Sequence, residues 1–149
     1  SVPVDRHLRL ADNNAWAAGD IARFNDWRTR LPVRVEHWRL AQQLGQYAAL
    51  NMLGRDVPFP GVPFFWTNQH MVITDYAGYI RDWDDIDIDG DPDAQDFLAC
   101  FVRDRHVWAV AGCGRAKALC AAAELLKAER PMTVDDFRKQ VAALAGGQG

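Results

Sequence analysis

The sequence predicts an α+β fold, an antiparallel β-sheet of about four to five strands with flanking helices. Three observations carry this reading. Between residues 70 and 111, short runs alternate apolar and polar residues, as half-buried antiparallel strands do. Before and after them lie segments with apolar residues three and four apart, the helical period. Turn-forming residues, glycine, proline and Asp-rich pairs, fall mainly at the joins.

Residues 1–20 read as extended structure. Val2-Pro3-Val4 and His7-Leu8-Arg9-Leu10 each suit a short strand, with Asp12-Asn13-Asn14 as a turn, and Ala15-Trp16-Ala17 is a third strand ending at Gly19. Residues 21–34 carry Arg, Asn and Asp with little period and read as a loop. Glu36 to Leu53 is the strongest helix. Trp38, Ala41, Gly45, Ala48, Ala49 and Met52 form its apolar stripe, Gly54 stops it and Pro58 follows. Val57 to Trp66, holding Pro58, Pro60 and Pro63, reads as a linker and marks the domain boundary.

Strands are expected at His70–Tyr76, Asp84–Ile88, Phe97–Arg103 and Val107–Ala111. Asp89-Gly90-Asp91-Pro92 and Asp104-Arg105 serve as turns. Arg115 to Ala128 is Ala/Leu-rich and helical, and Pro131 ends it. Thr133 with Asp136 three residues on is a capping pattern for a last helix, whose apolar face is Val134, Phe137, Val141 and Leu144. Residues 146–149 form a frayed tail.

Composition narrows the function. The 149 residues are 49% hydrophobic and 25% charged, ordinary for a soluble globular protein and enough to bury a core. The net charge of −3 argues against nucleic acid as a partner. No apolar run approaches the ~20 residues of a membrane span, so no membrane role is expected. Basic residues cluster at Arg23, Arg28, Arg30, Arg34 and Arg39, and Asp residues crowd 82–96, both read as solvated surface. Cys100, Cys113 and Cys120 are odd in number and not closely paired, which implies buried thiols in a reducing, cytoplasmic setting.

Most motif-like stretches have simpler explanations. Asp85-x-Asp87-x-Asp89-Gly90-x5-Asp96 nearly spells a calcium loop. Its last position is Asp rather than Glu, Pro92 interrupts it, and its flanks read as strands, so a half-buried strand is preferred. Gly112-Cys113-Gly114 imitates a dinucleotide fingerprint, but no strand follows the next helix, so it reads as a strand-to-helix turn. His7, His37, His70 and His106 show no metal-ligand spacing, so no metal is expected. Two segments remain. Trp16-Ala17-Ala18-Gly19-Asp20 presents a glycine beside a carboxylate, suited to a sugar or ribityl hydroxyl. Arg34-Val35-Glu36-His37-Trp38 opens a helix, whose unpaired N–H groups suit a group that gains electrons.

These residues carry a family resemblance. Pro3-Val4-Asp5 … Trp16-Ala17-Ala18-Gly19-Asp20-Ile21-Ala22 resembles the end of the FAD domain in pyridine nucleotide-disulfide oxidoreductases. Arg34-Val35-Glu36-His37-Trp38, the following helix, and Pro63-Phe64-Phe65-Trp66-Thr67-Asn68-Gln69 resemble the ferredoxin reductase branch. Ile88-Asp89-Gly90-Asp91 … Gln95-Asp96-Phe97 is most similar to its apoptosis-inducing factor-like members. The resemblance implies that residues 1-56 are the C-terminal remnant of an FAD-binding domain. Residues 57-145 would be a reductase C-terminal domain used for dimerisation or interface contacts.

By position, the resemblance implies that Gly19 and Asp20 bind the FAD ribityl chain. The backbone at His37 and Trp38 would face the flavin pyrimidine edge, Glu36 would orient the helix start or lie near the nicotinamide, and Trp66 would approach the isoalloxazine ring. No residue is assigned a catalytic role. The implied parent is an NAD(P)H-dependent FAD oxidoreductase. It would pass electrons to a ferredoxin or Rieske-type iron–sulfur protein, and a homodimer is compatible with it. Thr67-Asn68-Gln69 departs from the Ser-Asp-Gln of many relatives, and both glycine fingerprints for FAD and NAD(P)H are absent. The chain therefore reads as the tail of a longer protein, expected to hold no FAD tightly and to be inactive alone. The alternative is a non-enzymatic dimerisation or interaction module of the same fold.

Overall fold

A computed structural model describes residues 1–146 apart from Asn13 and Glu129. The chain divides into two compact units, Ser1–Pro63 and Phe64–Gly149.

The first unit holds three short strands, β1 (Val2–Pro3), β2 (Ala22–Asn25) and β3 (Pro32–Val33), and one helix, α1 (Trp38–Met52). β1 runs parallel to β2, and β3 antiparallel to it. The expected loop over 21–34 is thus a hairpin. Ala22 and Phe24 are buried and Arg23 and Asn25 exposed, a period of two hidden in sequence by the Arg, Asn and Asp residues. Its turn is made by Asp26, a buried carboxylate that accepts from the Arg28 amide and pairs with the Arg28 guanidinium at 2.8 Å. The strands expected at 7–10 and 15–17 reduce to a single bridge between Arg9 and Trp16. Leu8 adopts φ +63, which breaks the first run.

The helix forms where expected, but it buries a different stripe. Leu40, Leu44, Ala48 and Asn51 face the core, while Trp38 and Met52 are 63% and 64% exposed. Two stripes compete on this helix, and the branched leucines bury more apolar area than Ala41 and Gly45. Phe59 completes this core, edge-on to Phe24 at 5.5 Å and to Tyr47 at 5.3 Å.

The second unit is a five-stranded antiparallel sheet. Its strands are β4 (Phe64–Gln69), β5 (Val72–Gly78), β6 (Asp85–Asp91), β7 (Asp96–Arg103) and β8 (His106–Cys113), in the order β4-β5-β8-β7-β6. This is the α+β class that the sequence implies. Trp66 lies inside β4, not in a linker, because the prolines end at Pro63 and six residues then pair with β5. The Asp89–Pro92 turn moves on to Pro92–Gln95, since β6 pairs with β7 through Asp91. The β5-to-β6 crossover starts at Gly78, φ +99, where a Cβ would stand 2.5 Å from the Trp108 carbonyl oxygen.

Gly114, φ +69, turns β8 into α2 (Ala116–Leu125), as read from sequence. In α3 (Val134–Gly146), the Thr133 hydroxyl accepts from the Asp136 amide at 3.3 Å and donates to its carboxylate at 2.9 Å. Phe137 and Val141 are buried under α3, but Leu144 is 53% exposed, so the expected face is buried only in its first half. The expected tail lies mostly outside the described residues. Cys100 and Cys113 are buried thiols, while Cys120 is exposed on α2.

Candidate functional site

The first unit gathers most of the sequence candidates. Gly19 opens a 3-10 turn, Gly19–Ile21, at φ +77. A Cβ there would meet only the Ala41 methyl, at an ordinary 3.6 Å, so the backbone conformation, not crowding, favours glycine. The turn itself packs against α1. Asp20 is exposed, and among the described residues its carboxylate has no recorded partner.

The start of α1 is capped by His37 in an extended conformation, φ −150 and ψ 133, whose Nδ1 accepts from the Arg39 amide at 3.3 Å. The His37 and Trp38 rings stack with centroids 5.9 Å apart. The first turn of α1 contains no acidic residue, so no carboxylate inside the helix offsets the partial positive charge of its N-terminus.

Arg34 joins the two pieces. Its Nη1 donates to the Asp20 carbonyl oxygen at 3.3 Å, and its Nη2 pairs with Glu36 Oε1. Residues 34 and 36 are two apart in extended backbone and project to one side. That spacing is visible in the sequence; the bond to Asp20, fourteen residues away, is not. The structure thus links Gly19 and Asp20 to Glu36 and the His37–Trp38 helix start. Trp66 belongs to the second unit, opposite Asp75 in the register, with its ring centroid 6.5 Å from that of Phe64.

The Asp-rich run takes a different form from a calcium loop. Asp85, Asp87 and Asp89 alternate along β6. Arg115 binds Asp89 at 2.5 Å and Asp96 at 2.8 Å, and Arg138 pairs with Asp87 at 2.6 Å. The Arg115 guanidinium holds the Asp96 carboxyl below the usual carboxylate range. Among the described residues, no group of three or more His, Cys, Asp or Glu is arranged to hold a metal ion. No described helix is long and apolar enough to cross a membrane.

Comparison with known proteins gives one family, described as reductase C-terminal, matching residues 64–145. Apoptosis-inducing factor 3 of Mus musculus is 32% identical over 130 residues, covering 87% of this chain and 22% of that protein. The ferredoxin reductase subunit of 5,5'-dehydrodivanillate O-demethylase from Sphingobium sp. is 30% identical over 120 residues, covering 78% of this chain and 28% of that protein. The chain therefore spans well under a third of the length of these curated relatives. Among solved structures, the covalent putidaredoxin reductase–putidaredoxin complex has a TM-score of 0.81 at 21% identity, over 97% of this chain and 36% of that one. The ferredoxin reductase for the CYP199A2 system from Rhodopseudomonas palustris gives 0.83 at 23%, over 95% and 37%. These last two establish a shared fold.

Proposed function

Since this chain belongs to the reductase C-terminal family, we propose that it is the C-terminal part of an FAD-dependent reductase that carries electrons from NAD(P)H to a ferredoxin or Rieske-type iron–sulfur protein. The Arg34 bridge between the Asp20 turn and the start of α1 is the structural observation that supports this most directly. The named relatives add to it, being apoptosis-inducing factor 3 and ferredoxin reductases. In the same proposal residues 1-56 close the FAD-binding domain, residues 57-145 form the reductase C-terminal domain, and the setting is cytoplasmic.

The donors and acceptors present fit the cofactor. The Asp20 carboxylate is an acceptor for ribityl hydroxyls. Gly19 leaves the turn without a side chain on the ligand side. The start of α1 offers backbone N–H groups and partial positive charge to a ring edge that gains electrons. When bound, FAD supplies the conversion between two-electron hydride chemistry and single-electron transfer. This chain's residues bind and orient: Glu36 keeps Arg34 in place, Arg34 keeps the turn in place, and Trp66 remains a proposed flavin-facing residue of the second unit.

The test is made on the full-length gene product. Two G-x-G-x-x-G units upstream, with flavin absorbance bleached by NADH or NADPH, are the expected result. A parent with neither unit overturns the reading. In that parent, Asp20→Ala is expected to lower FAD retention by tenfold or more. The 149-residue chain alone is expected to retain little FAD, and micromolar binding would show that the site is more complete than proposed.

A second reading, a dimerisation or docking module without enzymatic activity, rests on the exposed apolar end of α1, where Leu53 is 78% and Met52 64% exposed. Sedimentation of the purified chain separates the two. Association that Leu53→Asp abolishes, from a gene without glycine fingerprints, would favour the module.

A further inference from the structure

Between the β6–β7 edge of the sheet and helices α2 and α3 lies a cavity of about 320 Å³. Leu98 and Cys100 form its floor, and Ala118, Val141 and Ala142 its walls. It exists because small residues stand where the two helices converge. Phe137 and Val141 seal α3 to the sheet, while the alanines beyond them leave space. A second space of about 450 Å³ lies between the same helices and shares Ala145 with the first.

The rim carries two guanidiniums and three carboxylates, engaged with one another and net negative. Arg115 is engaged by Asp89 and Asp96, and Arg138 by Asp87. The floor carries no charge, because burial, reinforced by Asp87, pushes the Cys100 thiol up to about 12. Away from its charged end, at Asp89, Arg115 and Arg138, the cavity is lined by Leu98, Cys100, Ala118, Val141, Ala142 and Ala145, which offer water few partners and suit an apolar ligand. An apolar cavity of about 150 Å³ accommodates benzene, so this one has room for a two-ring molecule.

We propose that this cavity is a binding site for a small, apolar, non-anionic molecule of up to about bicyclic aromatic size, held against Leu98, Cys100 and Ala142. An anion is disfavoured by the rim, where carboxylates outnumber guanidiniums three to two. The site is built wholly from the second unit and does not depend on the flavin reading.

Naphthalene is the probe. Titrated into the 149-residue chain, it is expected to shift the methyl NMR signals of Leu98, Ala118, Val141 and Ala142 in a saturable way and to slow labelling of Cys100 by a thiol reagent at least fivefold. Naphthoate is expected to bind at least tenfold more weakly. Ala142→Phe, which fills the space, is expected to abolish the effect, and Ala118→Leu provides a second filled variant should the first fail to fold. Absence of methyl shifts at naphthalene saturation, equal binding of naphthoate, or undiminished binding in a folded, filled variant would each overturn the proposal.

Discussion

Arg34 reaches across fourteen residues to donate from Nη1 to the Asp20 carbonyl oxygen at 3.3 Å while its Nη2 holds Glu36. One side chain therefore couples a left-handed glycine turn to the start of a helix. Arg34→Ala is expected to speed amide exchange at Ile21 and Ala22 several-fold with little change in overall stability, because both partners are exposed. Arg34→Lys should restore exchange only partly, since an ammonium cannot present two N–H groups in a fixed fork. Residue-resolved hydrogen exchange decides this.

Asn51 is the buried polar anchor of the first unit, 2% exposed on α1. Its amide nitrogen donates to the His7 and Val57 carbonyls at 2.9 and 2.8 Å, and its oxygen accepts from the Val57 amide at 2.7 Å. Asn51→Leu leaves those three backbone groups unpaired. A loss of about 2–4 kcal/mol is expected in urea unfolding, whereas Gln46→Leu on the exposed face should change stability by less than about 0.5 kcal/mol.

The β4–β5 hairpin turns on His70 and Met71, both at positive φ, +50 and +71. Two-residue hairpin turns with both residues left-handed favour Asn-Gly. Met71→Gly is therefore expected to stabilise the second unit by about 0.5–1 kcal/mol, because a side chain disfavoured at that φ is removed. Met71 is also 89% exposed, so little packing is lost. Thermal unfolding measures it, and destabilisation would mean that Met71 makes contacts worth more than the strain.

Cys100 predicts a pH dependence. Burial raises its pKa to about 12 from the ordinary thiol value of 9.0, so the folded state holds the proton more tightly. Its contribution is fully present below pH 9 and is lost as pH rises toward 12. Across that window wild type should lose stability relative to Cys100→Ala at up to about 1.4 kcal/mol per pH unit. Denaturant midpoints of the two proteins between pH 8 and 11 test it. At pH 8, exposed Cys120 should react with a thiol reagent well before Cys100.

Thr133 and Asp136 form the reciprocal cap of α3. Thr133→Ala is expected to cost about 1 kcal/mol, and Thr133→Ser to recover most of it. Circular dichroism during urea unfolding gives both values.

Several parts of the fold are legible in the chain itself. The strands β7 and β8, the turn at Asp104–Arg105, the cap at Thr133 and the helix after His37 are all set by local alternation, turn chemistry or capping, and these depend on near neighbours. β4 was hidden behind the prolines that precede it, and the β2–β3 hairpin behind its charged residues. The stripe that α1 buries is not legible because two stripes of similar period coexist, and only the surrounding Phe24, Phe59 and Leu8 choose between them.

The candidate site divides in the same way. The Ala-Gly-Asp turn and the Arg-Val-Glu-His-Trp helix start are visible as sequence, and so are the residue types suited to hydroxyl and ring-edge contacts. That Arg34 joins them, and that Asp87, Asp89 and Asp96 are bound by Arg138 and Arg115, came only from the tertiary structure. The sequence by itself determined the family, the element types and the chemical character of the candidate residues, because these follow from short-range pattern. Which side chains meet, which helix face is buried and where a cavity is left depend on contacts between residues far apart in the chain, and folding in three dimensions decided them.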